Sequence, residues 1–397
     1  MSRVRTSTLA ILATSTLLAG CAGASPESGD IMIGMSTSTT GAFAAIGEPA
    51  VRGAQTAVDE VNKNGGVNGR KIKLQVLDDA SDPTRAVANT RRLIADGAVA
   101  VLGPGTGNTV PQTVAVTGRE KVLHISQIGP NFAEKLPNRS LPETYFGTAG
   151  DVALWAQAAF CYAEQVHDAR RIAIVHTREA TGTLLADAAE TFADKAGIKV
   201  VETQSVSPDT TTDTSVAWKR VDEAQPDVVL NFMVGAIGGA SLKTAKEVGV
   251  EAPTIGFISN GQHTVQQLAG EAGHGNITVG HITAEDPASH QEQFVQRFQA
   301  KFPDHRADDF AAYGYDSVLL TAEALKKVPG ASQKDGPKLV KALEELKFQG
   351  VVAHYDFETM KEPSDIFAHA GMSLSDLIFI ENVGGTLKRS TEQPTCE

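Results

Sequence analysis

Ala98-Val99-Ala100-Val101-Leu102-Gly103-Pro104-Gly105-Thr106-Gly107-Asn108-Thr109-Val110-Pro111 passes from an unbroken apolar run into small and polar residues. The apolar run suits a strand buried on both faces, and Gly103, Gly105 and Gly107 suit a tight turn ahead of a helix. A turn of this kind brings backbone N–H groups, Thr106 and Asn108 to the strand's carboxyl end, where a ligand can lie. It lacks the Gly-Lys-Ser/Thr ending of a phosphate-binding loop.

On either side of this stretch, strand-like and helix-like segments alternate. Residues 31–35 read as a first strand, and 47–62 as a helix whose Val51, Ala54, Ala57, Val58 and Val61 share one face. Asn64-Gly65-Gly66-Val67-Asn68-Gly69 ends that helix, and in residues 71–77 Ile72, Leu74 and Val76 alternate with polar residues as in a half-buried strand. Asp82-Pro83 opens the next helix, since Asp accepts from free N–H groups and Pro fits the first helical position. A strand over 122–126 completes a β-α-β-α-β-α-β unit, the pattern of a parallel, doubly wound sheet. A second series follows Gly150, with strands expected at 171–175, 198–203, 227–232, 254–257 and 277–282. Two such units imply two lobes. Helices near 291–302, 310–327 and 338–346 are expected to return to the first lobe, and strands at 353–357 and 377–381 to join the second.

The amino terminus carries Arg3 and Arg5, an apolar run from Leu9 to Leu18, and then Leu18-Ala19-Gly20-Cys21. The run is too short for a spanning helix, which needs about 20 residues, and reads as an export signal. Its end resembles the lipobox of bacterial lipoproteins, so residues 1–20 are expected to be removed and Cys21 lipidated, leaving 21–30 as a flexible tether. Losing Arg3 and Arg5 takes the formal charge from −12 to −14, which disfavours nucleic acid as a partner. An exported chain permits a disulfide between Cys161 and Cys396; the alternative is a buried thiol at Cys161 and a frayed tail at Cys396.

The element order and several local sequences together resemble the leucine/isoleucine/valine-binding proteins, the type I periplasmic binding proteins that deliver solutes to ABC importers. The likeness rests on Ile33-Gly34, Thr40-Gly41, the Gly-Gly-Val-Asn-Gly-Arg of residues 65–70, Asp78-Asp79-Ala80-Ser81-Asp82-Pro83, Val101-Leu102-Gly103-Pro104, Arg171-Ile172-Ala173-Ile174-Val175 and Tyr313-Gly314-Tyr315-Asp316. It implies a two-lobed α/β fold, each lobe a doubly wound, mostly parallel sheet, joined by three crossing strands that act as a hinge. The crossings fall near 147–150, 281–284 and 353–356, giving lobes of 31–147 plus 284–352 and 148–283 plus 353–397. The resemblance further implies a monomer outside the cytoplasm, anchored to the membrane by lipid, with a small solute and an importer permease as partners and no cofactor or metal.

Position by position, the likeness implies a ligand site of Ile46, Thr106, Gly107, Asn108, Gln127, Ile128, Gly129, Asn131, Thr181, Val234, Asn260 and Tyr315. Ile128 and Pro130 stand where the family has an alanine and a threonine, and residues 257–260 offer no carboxylate for a ligand ammonium. Burying an ammonium without a partner costs several kcal/mol, so the expected ligand is a branched-chain amino acid only if Glu285 or Asp286 supplies the charge. Otherwise it is an apolar or neutral solute or an organic acid. Catalysis is not expected, because no nucleophile elbow, His-Glu-X-X-His or Cys-X-X-Cys is present, and Asp78-Asp79 reads as turn chemistry beside the Asp82 cap. The alternative function is a ligand-sensing lipoprotein that works with a separate receptor.

Overall fold

In the computed structural model, residues 29–127, 129, 141–357 and 372–396 are described. The first sheet is built from β1 (Ile31–Thr37), β2 (Ile72–Asp78), β3 (Ala100–Leu102), β4 (Leu123–Ser126) and β5 (Tyr145–Gly147), with α1 (Ala44–Lys63), α2 (Pro83–Ala95) and α3 (Val110–Glu120) between its strands. Its order is β2-β1-β3-β4-β5, and every pair is parallel. The order reverses between β1 and β3, which opens a crevice at the carboxyl ends of those strands. α2 starts where Asp82 Oδ1 accepts from Thr84 N at 2.7 Å and Arg85 N at 3.0 Å, with Pro83 at the first helical position. The neighbouring Asp78 pins the loop after β1 by accepting from Thr39 N, Thr40 N and Ala80 N.

The second sheet follows α4 (Val152–His167). It alternates β6 (Arg171–Thr177), α5 (Ala180–Ala196), β7 (Lys199–Val206), α6 (Ser215–Glu223), β8 (Val228–Phe232), α7 (Ile237–Val248), β9 (Thr254–Gly256), α8 (His263–Ala269) and β10 (Ile277–Gly280). The chain then returns to the first lobe as α9 (Glu292–Lys301), α10 (Asp309–Lys327) and α11 (Gly336–Glu344), which pack on α1, β3 and β4. It continues through β11 (Lys347–Gln349) and β12 (His354–Asp356) and ends as β13 (Ile378–Val383) and β14 (Thr386–Arg389). The second sheet has the order β14-β13-β10-β9-β8-β6-β7, parallel except for the antiparallel β13 and β14.

One expectation is corrected here. The strand expected at 353–357 does not join the second sheet; as β12 it pairs with β11 in a separate two-stranded antiparallel ribbon. A turn only a few residues long allows this local pairing, which needs no long loop closure. β5, α8 and β14 were not anticipated, and each is too short to show a full hydrophobic period.

Helices α1 and α10 cross at reciprocal glycines. A Cβ on Gly53 would lie 1.8 Å from the Ala311 carbonyl oxygen, and one on Gly314 would lie 2.0 Å from that of Ala50. Gly53→Ala is therefore expected to push the helices apart and lower stability by about 1–3 kcal/mol, as read by chemical denaturation.

Three passages connect the lobes, and side chains of α10 hold two of them. Asp309 Oδ1 accepts from His281 N at 2.6 Å and His281 Nδ1 at 2.9 Å. Two helical turns on, Asp316 accepts from Val351 N and Val352 N at 2.9 Å each and from the Tyr355 hydroxyl at 3.0 Å. Gln291 Nε2 donates to both the His281 and the Val351 carbonyls at 3.0 Å. Tyr355 also reaches the Thr148 carbonyl, at 3.4 Å, on the remaining passage. Cys161 of α4 is joined to Cys396 by a disulfide spanning 235 residues, so the tail after β14 is tied to the second lobe.

Candidate functional site

The loops that follow β1, β3 and β4 face those that follow β6, β8 and β9, and between them lies a cavity. From the first lobe come Ile46, Gly105, Thr106, Gln127, Gly129, Phe310 and Tyr313; from the facing side come Val152, Trp155, Thr181, Val234, Phe257 and Ile258, with Ala149 and Gly150 at the passage between. The opening stretch forms part of the floor. Ser126 Oγ donates to the Pro104 carbonyl at 2.8 Å, and the His124 ring reaches the Gly103 carbonyl, so β4 fixes the turn from below. Burial pushes His124 down to about 4, with the Gly103 contact opposing, and the ring is neutral at pH 7.

The wall is mainly aromatic and aliphatic. Trp155 meets Phe257 edge-on with ring centroids 5.9 Å apart and meets His281 at 5.8 Å. Set in this wall are polar atoms without protein partners: both amide atoms of Gln127 and the Trp155 indole N–H are buried and unbonded. Gln127 is 2% exposed. Buried polar groups are as a rule satisfied, and this amide and this N–H are the groups of the wall with hydrogen-bonding capacity to give to a molecule in the cavity. The Thr106 hydroxyl is already shared with that of Thr109 at 2.8 Å.

Of the expected site residues, Ile46, Thr106, Gln127, Gly129, Thr181 and Val234 are brought together at the cavity. Four others lie elsewhere or act differently. Gly107 packs on the facing lobe, where an added Cβ would come 2.9 Å from the Thr181 hydroxyl oxygen. Asn108 also reaches across, its Oδ1 accepting from Ala180 N at 3.2 Å, so it ties the lobes and does not line the cavity. Asn260 sits behind the wall and donates to the Asn231 carbonyl at 2.9 Å. Tyr315 points away, donating to Glu60 beside Arg297 on the outer side of α1 and α9. The reason is helical phase: two residues turn about 200°, so Tyr313 faces the cavity while Tyr315 cannot. Ile128 and Asn131 lie outside the described residues, as does Cys21.

Trp155, Phe257, Ile258, Phe310 and Tyr313 were missed as site residues. Their signal was present but ambiguous, because an apolar residue lining a cavity reads like one filling a core. Glu285, a candidate to balance a ligand ammonium, instead pairs with Arg306 at 3.4 Å, and neither it nor Asp286 lines the cavity. Among the described residues no cluster has the makings of a metal site, and no helix is long and apolar enough to cross a membrane.

The sequence profile of the family described as periplasmic binding protein matches residues 30–366. A Leu/Ile/Val-binding protein of Rhizobium johnstonii is 32% identical over 334 residues, covering 84% of this chain and 89% of its own. The leucine-, isoleucine-, valine-, threonine-, and alanine-binding protein of Pseudomonas aeruginosa is 25% identical over 89% of this chain and 92% of its own. Among solved structures, a branched-chain amino acid transporter substrate binding protein of Streptococcus pneumoniae with isoleucine superposes with a TM-score of 0.76 at 21% identity, covering 90% of this chain and 98% of the other. An ABC transporter solute binding protein of R. palustris with benzoate gives 0.78 at 20% identity, covering 93% and 97%. At these identities the superpositions speak for a shared two-lobed fold alone.

Proposed function

We propose, since this chain belongs to the periplasmic binding protein family, that it captures a small organic solute between its lobes outside the cytoplasm and delivers it to an ABC importer. The observation that carries the reading is the cavity itself, walled by both lobes and furnished with unpaired polar atoms. Solute meets one lobe of an open form, the lobes rotate together about the three passages, and the closed form is presented to a permease. Solute shifts this equilibrium only as far as it prefers the closed state. The lobe limits of 31–147 with 284–352 and 148–283 with 353–397, a monomeric state and a lipid anchor at Cys21 belong to the same proposal.

Relatives bind branched-chain amino acids, and one structural neighbour holds benzoate. For this chain a solute with an apolar body and no ammonium is favoured: a neutral compound or an organic acid. The described lining carries an aromatic wall and amide, indole and hydroxyl groups, with no carboxylate to meet a buried cation. Gln127 and Trp155 are placed to read its polar end.

Extraction of the purified protein under denaturing conditions, followed by mass spectrometry, identifies any solute that travels with it. A thermal-shift panel of leucine, isoleucine, valine, benzoate and benzamide then ranks the classes. Stabilisation by micromolar leucine and by neither benzoate nor benzamide would overturn the ammonium-free reading. With whichever solute binds, Gln127→Leu is expected to weaken affinity by about tenfold to a hundredfold, because it removes hydrogen bonds and keeps the volume. An unchanged dissociation constant in calorimetry would remove Gln127 from the site.

A further inference from the structure

Pro49 lies inside α1, and a proline there leaves the carbonyl four residues earlier, that of Ala45, without its helical N–H. In this structure the Ala45 carbonyl accepts instead from Gln262 Nε2, which belongs to the segment between β9 and α8 on the other lobe. The same Nε2 lies 3.4 Å from Oδ2 of Asp308, the residue that caps α10 through Ala311 N at 2.9 Å. Gln262 is 1% exposed. None of these three residues lines the cavity.

From this geometry we infer that Gln262 and the carbonyl that Pro49 frees at Ala45 form an interlobe latch that stabilises the closed form without touching solute. The inference rests on the capture-by-closure reading. A helical carbonyl keeps a second lone pair for another donor, but one that has lost its N–H partner has both lone pairs free and no competing bond. Omitting that N–H leaves a strong acceptor in the first turn of α1, one position before Ile46 of the cavity wall. In an open form water serves both groups; in the closed form each group is the other's partner, and the modest net gain of that exchange favours closure. Its contribution therefore falls on the lobe equilibrium. Gln262 is a positioning residue, and it acts on affinity through the closed population.

Two variants separate this role from a structural one. Gln262→Ala removes the donor. Pro49→Ala restores the N–H at position 49, which satisfies Ala45 from within the helix and removes a poor helix former, so it weakens the latch while it preserves or raises fold stability. Small-angle X-ray scattering is recorded on wild type and both variants, solute-free and with leucine or benzoate, alongside thermal melting. The expected result is a compact population, or an affinity for whichever probe binds, about fivefold or more lower in both variants, with the Pro49→Ala melting temperature unchanged or higher. Identical scattering across the three proteins, or a Pro49→Ala loss that merely follows a lowered melting temperature, would overturn the latch. If neither probe compacts the wild type, the solute reading fails for those compounds; the solute-free scattering still decides the latch.

Discussion

Replacing Asp316 with alanine is expected to destabilise the protein by about 3–5 kcal/mol, since each buried donor left without an acceptor costs about 1–3 kcal/mol. Its carboxylate accepts from Val351 N, Val352 N and the Tyr355 hydroxyl; alanine leaves the two backbone N–H groups buried without an acceptor on the third passage between the lobes and the hydroxyl with only the Thr148 carbonyl at 3.4 Å. Urea denaturation measures the loss. A deficit under 1 kcal/mol would mean that water or a rearranged strand replaces the carboxylate. Asp316→Asn keeps one carbonyl acceptor and should cost less. It also exposes a pH term. Burial, opposed by the backbone N–H groups and Tyr355, pushes Asp316 up to about 6 from an ordinary 3.8. A folded-state pKa above the unfolded one adds stability that is complete below about 4 and is lost as the pH rises through about 6. Asparagine has no such term, so the gap between wild type and Asp316→Asn should narrow between pH 4.5 and pH 7. A gap that widens over this range would contradict the assignment.

Breaking the Cys161–Cys396 bridge is the second change with a large expected effect. The link encloses 235 residues, and the loss of loop entropy in the unfolded chain corresponds to about 5 kcal/mol on the chain-entropy scale, with about 2–5 kcal/mol the usual range for native bridges. The double variant Cys161→Ala/Cys396→Ala should lower the denaturation midpoint accordingly, and reductant should reproduce the effect in wild type. Because neither Cys161 nor Cys396 lines the cavity, and Cys161 lies six residues along α4 from Trp155 of the wall, solute affinity at a temperature where both forms are folded should stay within about twofold. A large drop in affinity on reduction would show that the bridge shapes the cleft.

Local chemistry made much of the architecture legible. Asp82-Pro83 located the start of α2 because a side-chain acceptor followed by proline has few other uses, and the glycines after β3 marked a turn that no long side chain could make. The lobe-forming order of strands and helices followed from hydrophobic periods together with these cap and turn signals. Long-range geometry was less visible. Whether Tyr313 or Tyr315 faces the cavity depends on the phase of α10 against α1, which the reciprocal glycines at Gly53 and Gly314 set. Asn108 was legible as a polar residue beside the cleft, but its partner, Ala180 N, is 72 residues away on another lobe. The strand at 353–357, which is β12 of the ribbon, was assigned to the wrong partner for a related reason, since a strand pattern specifies a pleated face and leaves the neighbour open.

Helix α10 and its capping residue supply, in order, Asp308 beside the latch, Asp309 on the second passage, Tyr313 in the cavity wall and Asp316 on the third passage. These functions share one rigid rod, in which each residue turns the chain by about 100° and advances it by about 1.5 Å. Inserting or deleting a single residue between Asp309 and Asp316 would throw every later function out of phase at once, whereas the turn after α10 could absorb the same change as local slack. Over evolutionary time this segment is thus closed to changes of length, and relatives of this chain should hardly ever differ there in residue number.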